Sequence, residues 1–435
     1  MKGVNMLPDI KIDKSIKENS IFMSKDTAEH NKLNSKNIVL HFGLLKKQLN
    51  IKINNHLPFE QIVLPQRITR QIAIPDLPYE SYFKNNHLHL GPVIGFMPNG
   101  IYQKRKSLLL PRFKDYKDIK GLIFVFSRRK VNKKSRTITG YYYDPSSKKV
   151  IKGIFPYPTV IFNRALMSRK RLKYLKSQGI KIFNNPHRNV NKYTFWSRVS
   201  RNRHLLPHLP QTSIYRGPSS VKNLLSAYKT VYLKPLRKDA GRGIYRLEDR
   251  NGSFILTNNK GKVFSLKGLS QLNNIIGKQK YLVQQEVKVN INNRKIDFRV
   301  YMQKGRDKSW KCTAIETKVA KAGSVITNSS NRIKIMPGLQ AFKDIFQLNQ
   351  KQTEHLTEKI TRVCTKALRQ FEKAGHRLGD VAFDIIIDKD LKIWLLEMQV
   401  PYAAERKAYR KNDERQVLSV ILPAPFEYAK SLSGF

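Results

Sequence analysis

The sequence is short of acid, of cysteine and of long apolar runs, and each shortage excludes something. Only 31 of the 435 residues are Asp or Glu, against 83 Lys and Arg, which leaves a formal net charge of +52. A field of that sign attracts polyanions but does not dictate a fold. Two cysteines, Cys312 and Cys364, are too few for a disulfide framework or a zinc centre. They read as small hydrophobes in a reducing compartment. The apolar runs Leu122–Phe126 and Val417–Leu422 fall far short of the ~20 residues of a membrane span, so no membrane insertion is expected. Met1–Ser35 is polar and interrupted, without the apolar core of an export signal. No Gly-Lys-Ser/Thr stands at Walker spacing, and the ten histidines are scattered, forming no triad with Ser or Cys.

What is present is an ordinary globular mixture, 40% hydrophobic and 10% aromatic, long enough for two or three domains. The charge is uneven. Residues 151–300 hold 31 Lys and Arg against 5 acids, whereas residues 301–435 hold 15 acids. A cationic middle followed by an acid-bearing end suits an anionic ligand held with a carboxylate-bound metal. Apolar runs at 93–97, 121–126 and 159–163 alternate with helical spacing at 166–175, as in an α/β layer. Residues 352–374 form an amphipathic helix with Leu356, Ile360, Val363, Ala367 and Phe371 on one stripe.

Three segments carry chemistry. In Val231–Ile244, Lys234 ends an apolar strand and a loop with Gly241, Arg242 and Gly243 follows. A lysine fixed on a strand beside backbone N–H groups at close approach is a phosphate clamp; an ordinary hairpin is the alternative. In Val381–Gln399, Asp384 and Glu397 sit in apolar strands joined by a short turn. A carboxylate there is costly unless paired with a base or bound to metal, and Mg²⁺ takes one or two such groups with phosphate oxygens. Gln399 shares a face with Glu397 and offers an amide oxygen. In the third, the strand Tyr281–Val287 turns polar at its end, with Asp297 ten residues on. It offers backbone groups to a purine edge and an acid to ribose hydroxyls.

In this order the segments resemble the ATP-grasp superfamily, and within it the endospore coat-associated YheC/YheD family. The finer likeness rests on Leu90–Met97, Phe162–Arg164, Ile182–Asn184, Lys192, Leu206–Thr212, Tyr232–Pro235, Gly241–Ile244 and Ile326–Asn328. The resemblance implies ATP and Mg²⁺ as cofactors, with Lys192 and Lys234 on phosphates and Asp239–Gly243 covering them. It places Gln284, Gln285, Glu286 and Val287 at the adenine hinge, Asp297 at the ribose, and Asp384, Glu397 and Gln399 on magnesium. Arg299, Lys321 and Asn328 fall near the γ-phosphate. Two positions depart from the family pattern: Gln399 replaces the usual Asn, and Ser329–Lys334 replaces a glycine pair.

The expected fold is α/β (α+β): a flexible segment 1–35, a small β-rich unit 36–89, a pre-ATP-grasp domain 90–188, an ATP-grasp domain 189–404 and a tail 405–435. The expected function is ATP-dependent ligation of a carboxylate to an amine or similar nucleophile through an acyl-phosphate, in the mother-cell cytoplasm or spore coat. Two other classes stay open. One is a coat protein that keeps the fold with weak or no catalysis. The other is a polyanion-binding protein, served by Lys104–Lys106, Arg128–Lys130, Lys133–Lys134 and Arg169–Arg171. Acidic coat components are candidate partners, and nucleic acid remains open although no nucleic-acid module accompanies the basic clusters.

Overall fold

A computed structural model of the chain describes residues 8–33, 35–99, 106–113, 116–184, 190–238, 241–289, 294–327, 331–402, 404 and 416–435. The chain divides into two compact units. The first comprises residues 1–187, 304–309 and 422–435, and the second residues 188–303 and 310–421. Among the described residues no helix is long and apolar enough to cross a membrane.

The first unit contains two seven-stranded sheets. One runs from Asp9 to Gly91. The stretch 1–35, expected to be loose, contributes the strands Asp9–Asp13 and Ser20–Met23 and the helix Lys25–His30. The reason is long-range pairing: Asp9–Asp13 lies parallel to Gln61–Pro65, and Ser20–Met23 parallel to Leu45–Ile53. Only two or three apolar residues per strand announce this locally, and Ile21 and Met23 are fully buried.

The second sheet holds four adjacent parallel strands, Leu122–Val125, Val93–Met97, Val160–Asn163 and Lys181–Phe183. Strands buried on both faces read as unbroken apolar runs, and Leu122–Val125 and Val93–Met97 do. The hairpin Thr137–Asp144/Lys149–Pro156 extends the sheet. Within the C-terminal span expected as a tail, the helix Pro425–Ser433 is part of this unit. Phe426 packs edge-on against Phe96 and Phe162. Lys430, fully buried, donates to Glu80 and to the carbonyl of Asp118.

The second unit contains a six-stranded and a five-stranded sheet. The six-stranded one is antiparallel, in the order Thr212–Ile214, Tyr281–Gln285, Thr230–Pro235, Tyr245–Arg250, Ser253–Asn258, Val263–Leu266. Val231, Leu233, Leu247, Leu256 and Val283 pack with Val221 and Leu225 of the helix Pro218–Tyr228. In the five-stranded sheet the order is Arg332–Pro337, Trp310–Ala320, Ile296–Lys304, Asp380–Ile387, Ile393–Gln399. The helix Gln350–Glu372 opens with a capping box, Asn349 and Gln352, and buries its apolar stripe with Phe298, Val300, Val381, Phe383, Ile385, Ile393 and Leu395. In each sheet the face turned away from the helix is left for polar side chains.

Candidate nucleotide and metal site

Strand alternation decides which side chains reach that polar face. In Thr230–Pro235 the core takes Val231 and Leu233, so Tyr232 and Lys234 point the other way. In Ile296–Lys304 the core takes Phe298, Val300 and Met302, which turns Asp297 and Arg299 outward. In Asp380–Ile387 it takes Val381, Phe383, Ile385 and Ile387, which turns Asp384 to the same side as Arg299, its cross-strand partner.

The last strand needs an irregularity. Strict alternation from Ile393 and Leu395 would send Glu397 and Gln399 into the core. Opposite Asp384 and Ile385 the register shifts, pairing Asp384 with Glu397 but Ile385 with Leu395, so Leu396 is the extra residue of a β-bulge. Past it Met398 takes the core position, and Glu397 and Gln399 emerge beside Asp384. Bulges re-aim side chains in this way next to functional sites.

The resulting cluster is tightly cross-linked. Arg299 donates to both oxygens of Asp384, from Nε at 2.8 Å and Nη2 at 2.9 Å. Lys318 Nζ is 3.7 Å from Asp384 Oδ1. The Gln399 amide donates to Asp384 Oδ2 at 3.0 Å and to Glu397 Oε1 at 2.9 Å. Lys192, first residue of the helix Lys192–Val199, pairs with Glu397 Oε2 at 3.2 Å and donates to the Lys238 carbonyl at 3.2 Å. Lys234 donates to Gln284 Oε1 at 2.6 Å, and Gln284 donates in turn to Thr212. Thr327 donates to Asp297.

Burial sets the electrostatics. It pushes the Lys234 ammonium down to about 8, helped by Lys192 and opposed by Glu397 and Asp297. Burial also raises the Asp297 carboxyl, against the pull of Lys318 and the Thr327 hydrogen bond. At Asp384 burial works upward too, but Arg299 and then Lys318 outweigh it and hold the carboxyl well below its usual range. Three carboxylates, Asp297, Asp384 and Glu397, and four cations, Lys192, Lys234, Arg299 and Lys318, therefore share one half-buried face.

The hinge segment is fixed from the side. Glu286 accepts from Arg246 Nε and Nη2, both at 3.0 Å, from Lys295 at 3.1 Å and from Tyr232 at 3.3 Å. Burial lowers Lys295 to about 8, against Asp297. Gln285 exchanges hydrogen bonds with the backbone of Gln211, and Val287 packs beside the core of the five-stranded sheet. The glycine loop is also the hairpin turn between Thr230–Pro235 and Tyr245–Arg250. Gly241 and Gly243 sit at φ +73° and +71°, where a side chain is strained. The Tyr281 hydroxyl donates to the Gly243 carbonyl at 2.9 Å. Arg242 is exposed on the loop.

Lys321 is not drawn into the cluster; its side chain is exposed on the turn after Trp310–Ala320. Asp239 and Asn328 lie outside the described residues, as do Lys104 and Arg105. Sequence reasoning missed Lys318, Lys295 and Arg246. The one local signal for Lys318 is a base in the otherwise apolar run near Val319, where it is buried.

The donor set fits Mg²⁺. Asp384, Glu397 and Gln399 offer hard oxygen ligands, and an N–H of Gln399 already lies between the two carboxylates at the point a cation would share. Turned end for end, the same amide presents its oxygen. Among the described residues no group of three or more His, Cys, Asp and Glu converges on a metal position.

The family described as YheC/D-like ATP-grasp matches residues 179–432. The chain belongs to that family. Its α/β architecture is that of an ATP-grasp protein. The endospore coat-associated protein YheD of Bacillus subtilis (strain 168) is 24% identical over 98% of this chain and 96% of its own length. Among solved structures, VanG D-Ala:D-Ser ligase from Enterococcus faecalis superposes with a TM-score of 0.44 at 10% identity, covering 77% of this chain and 98% of that one. The ATP-grasp ligase PsnB with its minimal precursor gives 0.45 at 13% identity, covering 78% and 99%. N5-carboxyaminoimidazole ribonucleotide synthetase from Thermotoga maritima gives 0.40 at 13% identity, covering 77% and 76%.

Proposed function

We propose that this YheC/D-like ATP-grasp protein binds ATP with Mg²⁺ and uses it to join a carboxylate to an amine. The observation that carries the reading is the meeting of Lys192 and Lys234 with Asp384 and Glu397 on one polar face, tied by the 3.2 Å contact between Lys192 and Glu397. Lys192 and Lys234 would hold phosphate oxygens; an anion beside the buried Lys234 supplies the counter-charge its surroundings lack. Asp384, Glu397 and Gln399 would hold Mg²⁺, which when bound neutralises charge on the phosphates. The backbone of Gln284–Val287 would receive adenine, kept rigid through Glu286 by Arg246 and Lys295. Asp297 would accept from ribose.

In the reaction a substrate carboxylate oxygen attacks the γ-phosphorus and ADP leaves. The amine then attacks the acyl carbon of the acyl-phosphate, and inorganic phosphate departs with the bonding pair. No protein nucleophile is needed. The chain's residues position the reactants and hold opposite charge against the transferring group. Arg299 keeps Asp384 ionised and oriented, a positioning role. The endospore coat-associated relative supports action at the spore coat.

A second reading, a coat protein with weak turnover, is favoured by one feature: the carboxylates that would hold the metal are already neutralised by Arg299, Lys318 and Lys192. Thermal unfolding with and without Mg·ATP tests the site, since a ligand at 100 times its Kd adds about 2.7 kcal/mol. Lys234→Ala and Glu397→Ala should abolish the shift, and a shift equal to wild type in both overturns it. Release of ADP and phosphate on adding candidate acids and amines separates the two readings.

A further inference from the structure

The nucleotide accounts for few of the positive charges, and the first unit carries an excess with no role so far. Within it, from Pro145 to His187, there is no Asp or Glu in 43 residues, against ten Lys and Arg. Within the first unit the fold gathers cations that are distant in sequence. Residues 128–136 supply six Lys and Arg, and the helix Arg169–Ser177 five. Lys133 lies over the Tyr174 ring of that helix, 4.7 Å from its centroid. The Tyr157 hydroxyl touches both the Tyr174 hydroxyl, at 3.2 Å, and the Asn132 carbonyl, at 3.1 Å. Among the described residues none of these eleven cations has a carboxylate partner. Three of them, Arg169, Lys170 and Arg171, occupy the first helical turn, where the backbone dipole is already positive. Neither feature helps the isolated chain.

Tyr157 also marks the end of the strand Lys149–Pro156. Among the described residues this strand pairs with Thr137–Asp144 alone, so its other edge offers backbone N–H and C=O groups without a sheet partner. Ile154 is 58% exposed and Ile151 36%, interleaved with Lys149 and Lys152. The open edge thus runs into the cationic cluster at its base.

We propose that this edge and the cations at its base dock an extended acidic segment of a partner polypeptide as an added β-strand. An extended peptide presents alternating N–H and C=O groups in register with a strand edge, which nucleic acid cannot do, while the flanking side chains offer charge to carboxylates and two apolar contacts. A second copy of this chain is a poor occupant, because it brings the same lysines to the edge.

The test uses the full chain and a fluorescent peptide of about eight residues alternating Glu and Val, read by anisotropy. Binding is expected at low salt and should weaken as salt rises. The variant R169E/K170E/K173E should lower affinity by roughly tenfold or more, with circular dichroism checking its fold. Ile154→Glu, at an exposed position, is an independent variant with the same expected loss. A peptide of equal charge with proline at alternate positions should bind at least about tenfold more weakly, because it lacks the N–H groups of a strand. Equal binding of the proline peptide overturns the added-strand claim. Displacement by an oligonucleotide of matching charge at equal or lower concentration reassigns the face to nucleic acid, and unchanged affinity in both variants removes the face altogether.

Discussion

Lys234 gives the sharpest test of the proposed nucleotide site, because its charge is costly until an anion arrives. Its ammonium is lowered from 10.5 to about 8, chiefly by burial. A tenfold change in a proton equilibrium is worth about 1.4 kcal/mol, so holding the proton at neutral pH costs the folded protein about 3 kcal/mol. Between pH 8 and 10.5 the unfolded chain binds more protons than the native one, so stability rises with pH across that window and the cost is complete below it. Removing the amine therefore stabilises the ligand-free protein: Lys234→Met should raise unfolding free energy at pH 7 by up to about 3 kcal/mol. Bound triphosphate does the reverse and restores the proton. At pH 8.5 Lys234 is largely deprotonated in the free protein, so binding should take up a measurable fraction of a proton. Calorimetry in two buffers of different ionisation enthalpy reads this directly. Lys234→Met should lose that uptake and bind ATP far more weakly, which separates Lys234 from Lys295, the other lysine lowered to about 8. Identical uptake in variant and wild type at pH 8.5 would refute the placement of phosphate on Lys234.

Other expectations follow from single contacts. Arg299→Met leaves Asp384 buried with only Lys318 and Gln399 beside it, and should cost about 3 kcal/mol in urea unfolding; R299K should recover part. Gln399→Ala removes the amide oxygen proposed as a third Mg²⁺ ligand, and should raise the Mg²⁺ concentration needed for ATP binding by about tenfold, measured by magnesium titration at fixed ATP. Arg246→Ala frees Glu286 at the hinge, so ATP affinity should fall by roughly tenfold while the fold, followed by circular dichroism, is retained. Lys430→Met strips the buried partner from Glu80, which should cost about 3 kcal/mol, and K430M/E80Q should restore most of it.

Much of the second unit was legible because its signals are local. The strand ending at Lys234, the helix after Asn349 and the hairpin carrying Asp384 and Glu397 all announce themselves by period and turn chemistry. The approach of Arg299 to Asp384 was not local: it depends on the register of two strands more than eighty residues apart in sequence. Lys318 and Lys295 reach their partners in the same way, and period alone cannot tell a lysine that snorkels to water from one that faces an acid. The bulge at Leu396 was hidden for a different reason. Its strand reads as regular alternation with Glu397 on the core side, and the extra residue shows only against its partner strand. At the N-terminus, Asp9–Asp13 is too short and charged to read as a strand until Gln61–Pro65 lies beside it.

The connectivity of the two units bears on how the chain is made. The helix Pro425–Ser433 completes a sheet whose strands were translated hundreds of residues earlier, and the second unit is synthesised in between. On the ribosome, the aromatic surface of Phe96 and Phe162 therefore waits for its covering residue, Phe426, until that residue clears the exit tunnel. A protein truncated just before Leu422 should hold a folded second unit joined to a first unit that proteases still cut.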